Sequence, residues 1–462
     1  MVFRRKIYDK LLSWKQSEHS RSALLINGAR RVGKSFIVEE FAKREYRNYV
    51  LFDFTRVDGN IKKVFDEDLG NLDTFFYKLS SLCGKPFYER ETLFIFDEVQ
   101  SFPRAREAIK ALVEHGKYDY IETGSLVSIR ENVKNILIPS EEVDINMYPM
   151  DFEEFLWAKG NETLMDAIRV QFDKRECMGV LHQTAMAALR EYMIVGGMPK
   201  VVDTFLETRD LKAVDEEKRK ILSLYRKGIR EHSHRQAERT EALFDFLPSL
   251  LQRHEKKIVL SDIEPGARMR DYQDPMFWLQ DAMIVNPAHN ATEPNVGLGL
   301  SLDHSTVKCY MADTGLLISH AFSENELMAE DIHNRLLFSD IALNEGMLTE
   351  NVVAQMLAAS GNRLYFFSRH DRDNRENCME IDFLVSNSRL AKKNNVHPIE
   401  VKSGRKVAHR SLDKFRKKYA DWLATPYLLW DRDYEVRDGI VCLPLYMAPL
   451  LASGRFRSGL SR

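Results

Sequence analysis

The run Gly28-Ala29-Arg30-Arg31-Val32-Gly33-Lys34-Ser35 constrains this chain more than any other feature. It satisfies G-x-x-x-x-G-K-[ST] at every position. The apolar triplet Leu24-Leu25-Ile26 precedes it, and a segment with helical periodicity, from Ser35 to about Arg44, follows. A glycine loop between a strand and a helix curls so that its N–H groups converge on an anion, and the helix N-terminus adds a positive dipole end. Lys34 places a cation at the β- and γ-phosphates, and Ser35 supplies a hydroxyl ligand for Mg²⁺. The loop from Gly28 to Ser35, with Phe36 after it, is therefore expected to hold ATP with Mg²⁺.

A strand–loop–helix of this kind needs a sheet around it. Tyr49-Val50-Leu51-Phe52-Asp53-Phe54, Leu93-Phe94-Ile95-Phe96 and Tyr118 to Glu122 read as further strands separated by helical patterns. Apolar strands alternating with helices predict a parallel sheet covered on both faces. Asp97 and Glu98 end the third strand, at the carboxyl edge where ligands bind in such sheets. Asp97 is the candidate to hold Mg²⁺, directly or through water, and Glu98 to act as general base on the attacking water. Thr123-Gly124-Ser125 closes the next strand, so Thr123 and Ser125 are candidates to contact the γ-phosphate or the attacking water, with a plain turn as the alternative. Arg104, Arg106 and Arg130 are candidates for an arginine acting in trans, although a solvated surface position is the favoured reading of each.

The chain has 462 residues, enough for two to four domains at roughly 100–200 residues each. Its 67 basic and 69 acidic residues leave a net charge of −2, which excludes a global basic field and confines any nucleic-acid contact to a local patch. Five scattered cysteines without a C-x-x-C fit free thiols in a reducing compartment. No apolar stretch of signal-peptide or membrane-spanning type is present, so a cytoplasmic protein with no membrane partner is expected. Residues from about Asp151 to Thr240 read as mostly helical, interrupted at Gly196-Gly197. His232-Ser233-His234 lacks partners for a metal site and is set aside.

A second set of charged residues lies near the C-terminus. Strands are expected over Arg363–Phe367, Ile381–Val385, Pro398–Val401 and Tyr427–Trp430. Asp382 lies in the second of these and Glu400-Val401-Lys402 in the third, while Glu350 sits in a helical segment upstream. Side chains alternate along a strand, so Glu400 and Lys402 share a face. Asp382 and Glu400 are candidate ligands for a second divalent cation, with Glu350 as a further ligand. Lys402 is placed to stabilise developing phosphate charge. That is the layout of metal-assisted phosphodiester hydrolysis, and a salt-bridged sheet edge is its plainer alternative. Lys414, Arg416, Lys417 and Lys418 on a helical face, with Lys392-Lys393, Arg405-Lys406 and His409-Arg410, are candidate contacts to a nucleic-acid backbone, and a solvated helix face accounts for the helical set at least as well.

Taken in order, several segments resemble the prokaryotic AAA-type ATPases that carry a C-terminal domain of unknown function. They are the Gly28–Ser35 loop, Phe94 to Gln100, Thr123-Gly124-Ser125, Tyr148 to Leu156, Gly196-Gly197-Met198-Pro199, Lys308 to Leu317, Glu350-Asn351, Glu380-Ile381-Asp382-Phe383 and Ile399 to Gly404. The resemblance covers nearly the whole chain. It implies an α/β multidomain protein: a P-loop NTPase parallel sheet with helices on both faces over 1–158 and a helical lid over 159–240. A winged-helix-like segment would follow over 241–307, then a C-terminal restriction-endonuclease-like α/β domain of the PD-(D/E)XK type over 308–462. It further implies Asp382, Glu400 and Lys402 as the nuclease-type triad, Glu350 as its helix carboxylate, and a possible homo-oligomer. Some relatives carry a Gly-Arg pair where this chain has Asn135 to Glu142 without arginine. The expected function is an ATPase whose nucleotide state controls a nuclease-like, DNA-contacting domain. The alternatives are an ATP-switched binding or signalling protein with an inactive nuclease-like domain, and a protein adaptor.

Overall fold

Every residue of strand β1 (Ala23–Gly28) is buried, as a central strand must be when both faces of its sheet are covered. It lies parallel to β4 (Asp119–Gly124) on one side and β5 (Glu142–Met147) on the other. Beyond β4 come β3 (Thr92–Asp97) and β2 (Asn48–Asp53), giving an all-parallel sheet of order β2-β3-β4-β1-β5. Period-two alternation divides the side chains between two cores. Leu24, Ile26, Leu93 and Ile95 pack with α1 (Ile7–Glu18) and α2 (Lys34–Glu45). Ala23, Leu25, Phe94 and Phe96 pack on the other face with α3 (Gly59–Glu67), α4 (Leu72–Cys83) and α5 (Pro103–His115). The four strands expected from the sequence are present. β5 is an addition: its alternating Glu-Val-Asp-Ile-Asn-Met is half exposed, and such an edge strand lacks the apolar run that marks the others.

The computed structural model describes residues 1–18, 21–124, 141–232, 236–253, 257–294, 297–322, 345–371, 373–386, 395–403 and 409–451. Ser125, Arg130, Ser233-His234, Lys392-Lys393 and Arg405-Lys406 lie outside them, as does the side chain of His232. The chain forms two compact units. Val2–Tyr148 with Asp281–Met283 is one, and Pro149–Gln280 with Ile284–Arg462 is the other. No helix among the described residues is long and apolar enough to cross a membrane.

The second unit opens with helices α6 (Phe152–Ala158), α7 (Glu162–Lys174), α8 (Leu181–Val195), α9 (Pro199–Thr208), α10 (Leu211–His232), α11 (Ala237–Gln252) and α12 (Met269–Asp281). Strands β6 (Val285–Ala291) and β7 (Leu302–Met311) form an antiparallel pair at one edge of a mixed eight-stranded sheet. Helices α13 (Thr314–Ala321) and α14 (Glu345–Ala359) follow. Then β8 (Tyr365–Arg369), β9 (Met379–Ser386) and β10 (Val396–Val401) run as an antiparallel meander. Helix α15 (Arg410–Lys418) crosses over to β11 (Tyr427–Trp430), which lies parallel to β10. β12 (Glu435–Arg437) and β13 (Ile440–Pro444) complete the order β12-β13-β11-β10-β9-β8-β6-β7.

A buried polar network ties the helices of this unit to its sheet. Asp313 is 1% exposed and caps α13 by accepting the Leu316 N–H at 2.9 Å. Its other oxygen accepts the Gly197 N–H at 2.6 Å. Asn351 of α14 accepts the Met311 N–H at 2.9 Å and donates to the Thr314 hydroxyl at 2.9 Å. Gln355 accepts the Thr314 N–H at 2.8 Å and donates to the Tyr192 hydroxyl at 2.8 Å, which donates to the Met150 carbonyl at 2.8 Å. Such a network stabilises only when every member is satisfied, because a buried unpaired donor costs about 1–3 kcal/mol.

Gly196 sits at φ +82°, and a Cβ there would come within 2.2 Å of Asp313 Oδ1. Gly196→Ala is therefore expected to lower stability by roughly 3 kcal/mol, and Asp313→Ala by a similar amount. The double variant should lose less than the sum, since both changes break one contact. Urea midpoints of the three variants check this, and additive losses would count against a shared contact.

Candidate functional site

The loop between β1 and α2 lies at the carboxyl edge of the parallel sheet. Arg31 (φ 70°) and Gly33 (φ 97°) both take left-handed backbone, which curls the chain before α2. Gly28 is required for space: a Cβ would stand 2.7 Å from the Met147 carbonyl oxygen. Ala29 and Val32 are buried beneath the loop, whereas Phe36 is half exposed on the first turn of α2. Lys34 is buried and turns back over the loop, donating to the carbonyls of Gly28 at 2.7 Å and Ala29 at 3.1 Å. Burial pushes its ammonium down to about 8, against the pull of Glu98 and Asp97.

Asp97 ends β3 and collects two hydroxyls on one oxygen. Ser35 Oγ donates to Oδ1 at 2.7 Å, and Thr123 Oγ1, at the end of β4, donates to the same atom. Two strand ends, of β3 and β4, and the start of α2 thus converge on one carboxylate. A hydroxyl beside a carboxylate is a hard-oxygen pair of the kind Mg²⁺ takes, with water and phosphate oxygens filling its other positions. Residues Ser35 and Asp97 therefore fit the ion that the sequence implies. Glu98 holds a left-handed backbone (φ 51°), a costly conformation for a non-glycine residue that is common at active sites, and its carboxylate accepts from the Gln100 amide.

The candidate arginines separate. Arg104 is exposed and pairs with Glu107 at 2.8 Å. Arg106 is neither solvated nor free to reach another chain, for it is 3% exposed and binds Glu122 and Glu142, the latter at 2.9 Å. Arg5 emerges instead as a brace: it donates to the carbonyls of Val32 at 3.2 Å and Tyr148 at 2.7 Å. Its place in the basic opening Phe3-Arg4-Arg5-Lys6 hid that role, since only the folded chain shows it buried.

The second constellation comes together in the sheet of the other unit. Asp382 on β9 and Glu400 on β10 lie on neighbouring strands, and Asp382 Oδ2 accepts the Val401 N–H at 2.8 Å. Lys402 pairs with Glu400 Oε1 at 2.7 Å, while Glu400 Oε2 is buried with no hydrogen-bond partner among the described residues. Glu350 projects from α14 and accepts from the Tyr310 hydroxyl. Burial and the Glu350 carboxylate push Asp382 up to about 7, against the nearby Lys308 and Lys402. Burial also raises Glu400, with Lys402 opposing.

Lys308, not expected at the site, stands 2.8 Å from Glu380, 3.3 Å from Glu350 and 3.8 Å from Asp382. A lone lysine within the apolar strand Val307-Lys308-Cys309-Tyr310-Met311 is a legible signal, because a lysine so placed must be buried and paired. Among the described residues no three His, Cys, Asp or Glu side chains are arranged to hold a metal ion, so these carboxylates as they stand do not fit the second cation.

Residues 20–156 match a family model described as an AAA domain. Residues 186–327 and 345–447 match two domains of unknown function, DUF8612 and DUF4143. An uncharacterized protein of Haemophilus influenzae is 24% identical over 213 residues, 44% of this chain and 50% of that protein. The chain thus spans about half the length of the curated relative it matches. Among solved structures, the Walker-type ATPase PABY2304 of Pyrococcus abyssi has a TM-score of 0.39 at 15% identity, covering 69% of this chain and 96% of that one. The STAND protein PH0952 of Pyrococcus horikoshii, with a tetratricopeptide repeat sensor, has a TM-score of 0.27 at 12% identity, covering 77% and 48%. The Aeropyrum pernix ORC1 protein in complex with DNA also has a TM-score of 0.27, at 11% identity, covering 71% and 94%. Likenesses this low carry no shared function.

With the parallel sheet and its loop, the family match makes the first unit a P-loop ATPase domain of the AAA type, joined to a C-terminal unit with a mixed sheet. Ser35→Ala is expected to lower Mg²⁺-dependent ATP turnover by about a hundredfold or more, as losing a ligand to transition-state charge does. Binding of ADP without Mg²⁺ should stay near wild type. Steady-state phosphate release and fluorescent-nucleotide titration measure the two, and unchanged turnover would remove Ser35 from the site.

Proposed function

We propose that this chain hydrolyses ATP and that its nucleotide state controls a nuclease-like, DNA-contacting C-terminal unit. The convergence of Ser35 and Thr123 on Asp97 carries the first half of the reading. In it, Lys34 exchanges its loop carbonyls for the β- and γ-phosphates, the N–H groups from Gly28 to Ser35 cradle the phosphate chain, and Asp97 with Ser35 holds Mg²⁺. Glu98 leaves Gln100 to polarise the attacking water, and Thr123 reports the γ-phosphate through Asp97.

The second half is supported by order and placement. Helix α14, the meander β8-β9-β10, the crossover helix α15 and the parallel strand β11 follow one another, with Glu350 on the helix, Asp382 on the middle strand and Glu400-x-Lys402 on the next. That is the arrangement the PD-(D/E)XK resemblance implies. Helix α15 adds Arg416, Lys417 and Lys418 in its last turn, beside a cleft of about 460 Å³ lined by Asp413, Arg416, Lys417 and Leu423. Its charge is partly answered locally: Lys418 binds Asn377 at 2.7 Å and Arg416 donates to the Asp438 carbonyl at 2.9 Å. The alternative reading, a nuclease-like module that binds without cutting, is favoured by Lys308 inside the carboxylate cluster.

Both readings make DNA affinity fall linearly with salt on logarithmic axes, and Lys417→Ala should reduce that slope by about one phosphate contact. ATP and ADP should give different affinities, and Lys34→Ala should erase the difference. Fluorescence anisotropy on a labelled duplex across a salt series reads all three. Absence of DNA binding, or affinity blind to nucleotide, would sink the proposal. Cleavage of plasmid by wild type and not by Asp382→Ala would return the cutting form of it.

A further inference from the structure

Lys308 is 1% exposed, on a strand whose neighbouring residues are apolar. An ammonium that deep persists only when paired, since an isolated one would shed its proton or unfold the site. Here the partners are the carboxylates of Glu350, Glu380 and Asp382. The three carboxylates come from two elements, α14 and β9, and Glu380 and Asp382 share a face of β9 by period two. The ammonium reaches all three within 3.8 Å.

A divalent ion drawn to these carboxylates would need the same volume. Mg²⁺ demands about six oxygens at about 2.1 Å in near-octahedral order. Several of the oxygens at the cluster carry further partners. Asp382 Oδ2 accepts from the Val401 backbone, Glu400 Oε1 from Lys402, and Glu350 Oε1 from the Tyr310 hydroxyl. Glu400 Oε2 is buried with no hydrogen-bond partner among the described residues, and one such donor is not a cage.

We propose that Lys308 is a tethered cation: its ammonium takes the place of a divalent ion among Glu350, Glu380 and Asp382, and the C-terminal module is built without a metal. This draws on the nuclease-like reading of the module, but the charge argument stands on the cluster alone. The side chain is permanent, so the cluster needs no ion to stay folded. It also supplies no Lewis acid and no metal-bound water, which leaves the module to bind phosphodiesters without hydrolysing them.

The test titrates Mn²⁺ into the full-length protein without nucleotide and counts free ion by electron paramagnetic resonance. Wild type and Asp382→Asn are expected to bind Mn²⁺ equally poorly. Lys308→Met, of similar length and without charge, should bind at least about tenfold more tightly, and adding Asp382→Asn to it should abolish the gain. Mn²⁺ bound by wild type and lost in Asp382→Asn overturns the proposal. So does a folded Lys308→Met with no gain in affinity. The comparison of wild type with Asp382→Asn decides the question even where Lys308→Met does not fold. DNA binding is read on the same wild-type sample, so its failure would strike the proposed function and leave the Mn²⁺ result standing.

Discussion

A carboxylate removed from water must be answered at each oxygen, and the second unit is assembled around one that is. Asp313 takes the Gly197 N–H and the Leu316 N–H on its two oxygens. Lys218, itself fully buried and bonded to the Ile194 carbonyl at 2.9 Å, lends it a counter-charge. The turn at Gly196-Gly197, the start of α13 and the end of α8 are thereby held to one another. Gly196 and Gly315 lack side chains because the backbones meet there: a Cβ on Gly315 would lie 2.6 Å from the Gly196 nitrogen. Asn351 and Gln355 then carry the same hydrogen-bond logic to α14, which presents Glu350, the residue before Asn351, to Lys308 and Tyr310 of β7.

The two charged sites answer the same constraint differently. At the nucleotide site the anchoring carboxylate, Asp97, is satisfied by neutral hydroxyls, which a cation and phosphate can displace at little cost. Lys34 is likewise held by carbonyls rather than by a carboxylate, so its charge is available to a ligand. At the C-terminal cluster the carboxylates are already met by ammonium groups fixed to the chain. Neutral partners leave a site open to exchange, and charged partners close it. That contrast separates the loop around Lys34 from the carboxylates around Lys308.

Much of the first unit was legible because its chemistry is local. A phosphate loop needs eight consecutive residues, and Gly28 to Ser35 are consecutive. The central strands were legible because burial on both faces demands unbroken apolar runs. β5 was not, since an edge strand carries half its residues to solvent. That Glu400 and Lys402 share a face was readable because side chains alternate along a strand, and the strands carrying Asp382 and Glu400 are neighbours. Lys308 and Arg5 were missed as functional positions because their partners lie far away in the chain: Glu350 is 42 residues from Lys308, and Tyr148 is 143 from Arg5.

The sequence by itself determined that a nucleotide loop sits between a strand and a helix, that Asp97 and Glu98 end a central strand, and that acidic and basic residues recur with strand spacing near the C-terminus. These follow from local geometry and from the apolar periodicity that burial imposes. Tertiary structure alone decided which charges answer one another. It put Ser35 and Thr123 on the same oxygen of Asp97, buried Arg106 between Glu122 and Glu142, and set Lys308 among Glu350, Glu380 and Asp382. The energy of a buried charge depends on what surrounds it within a few ångströms, and those neighbours are brought together by folding rather than by order along the chain.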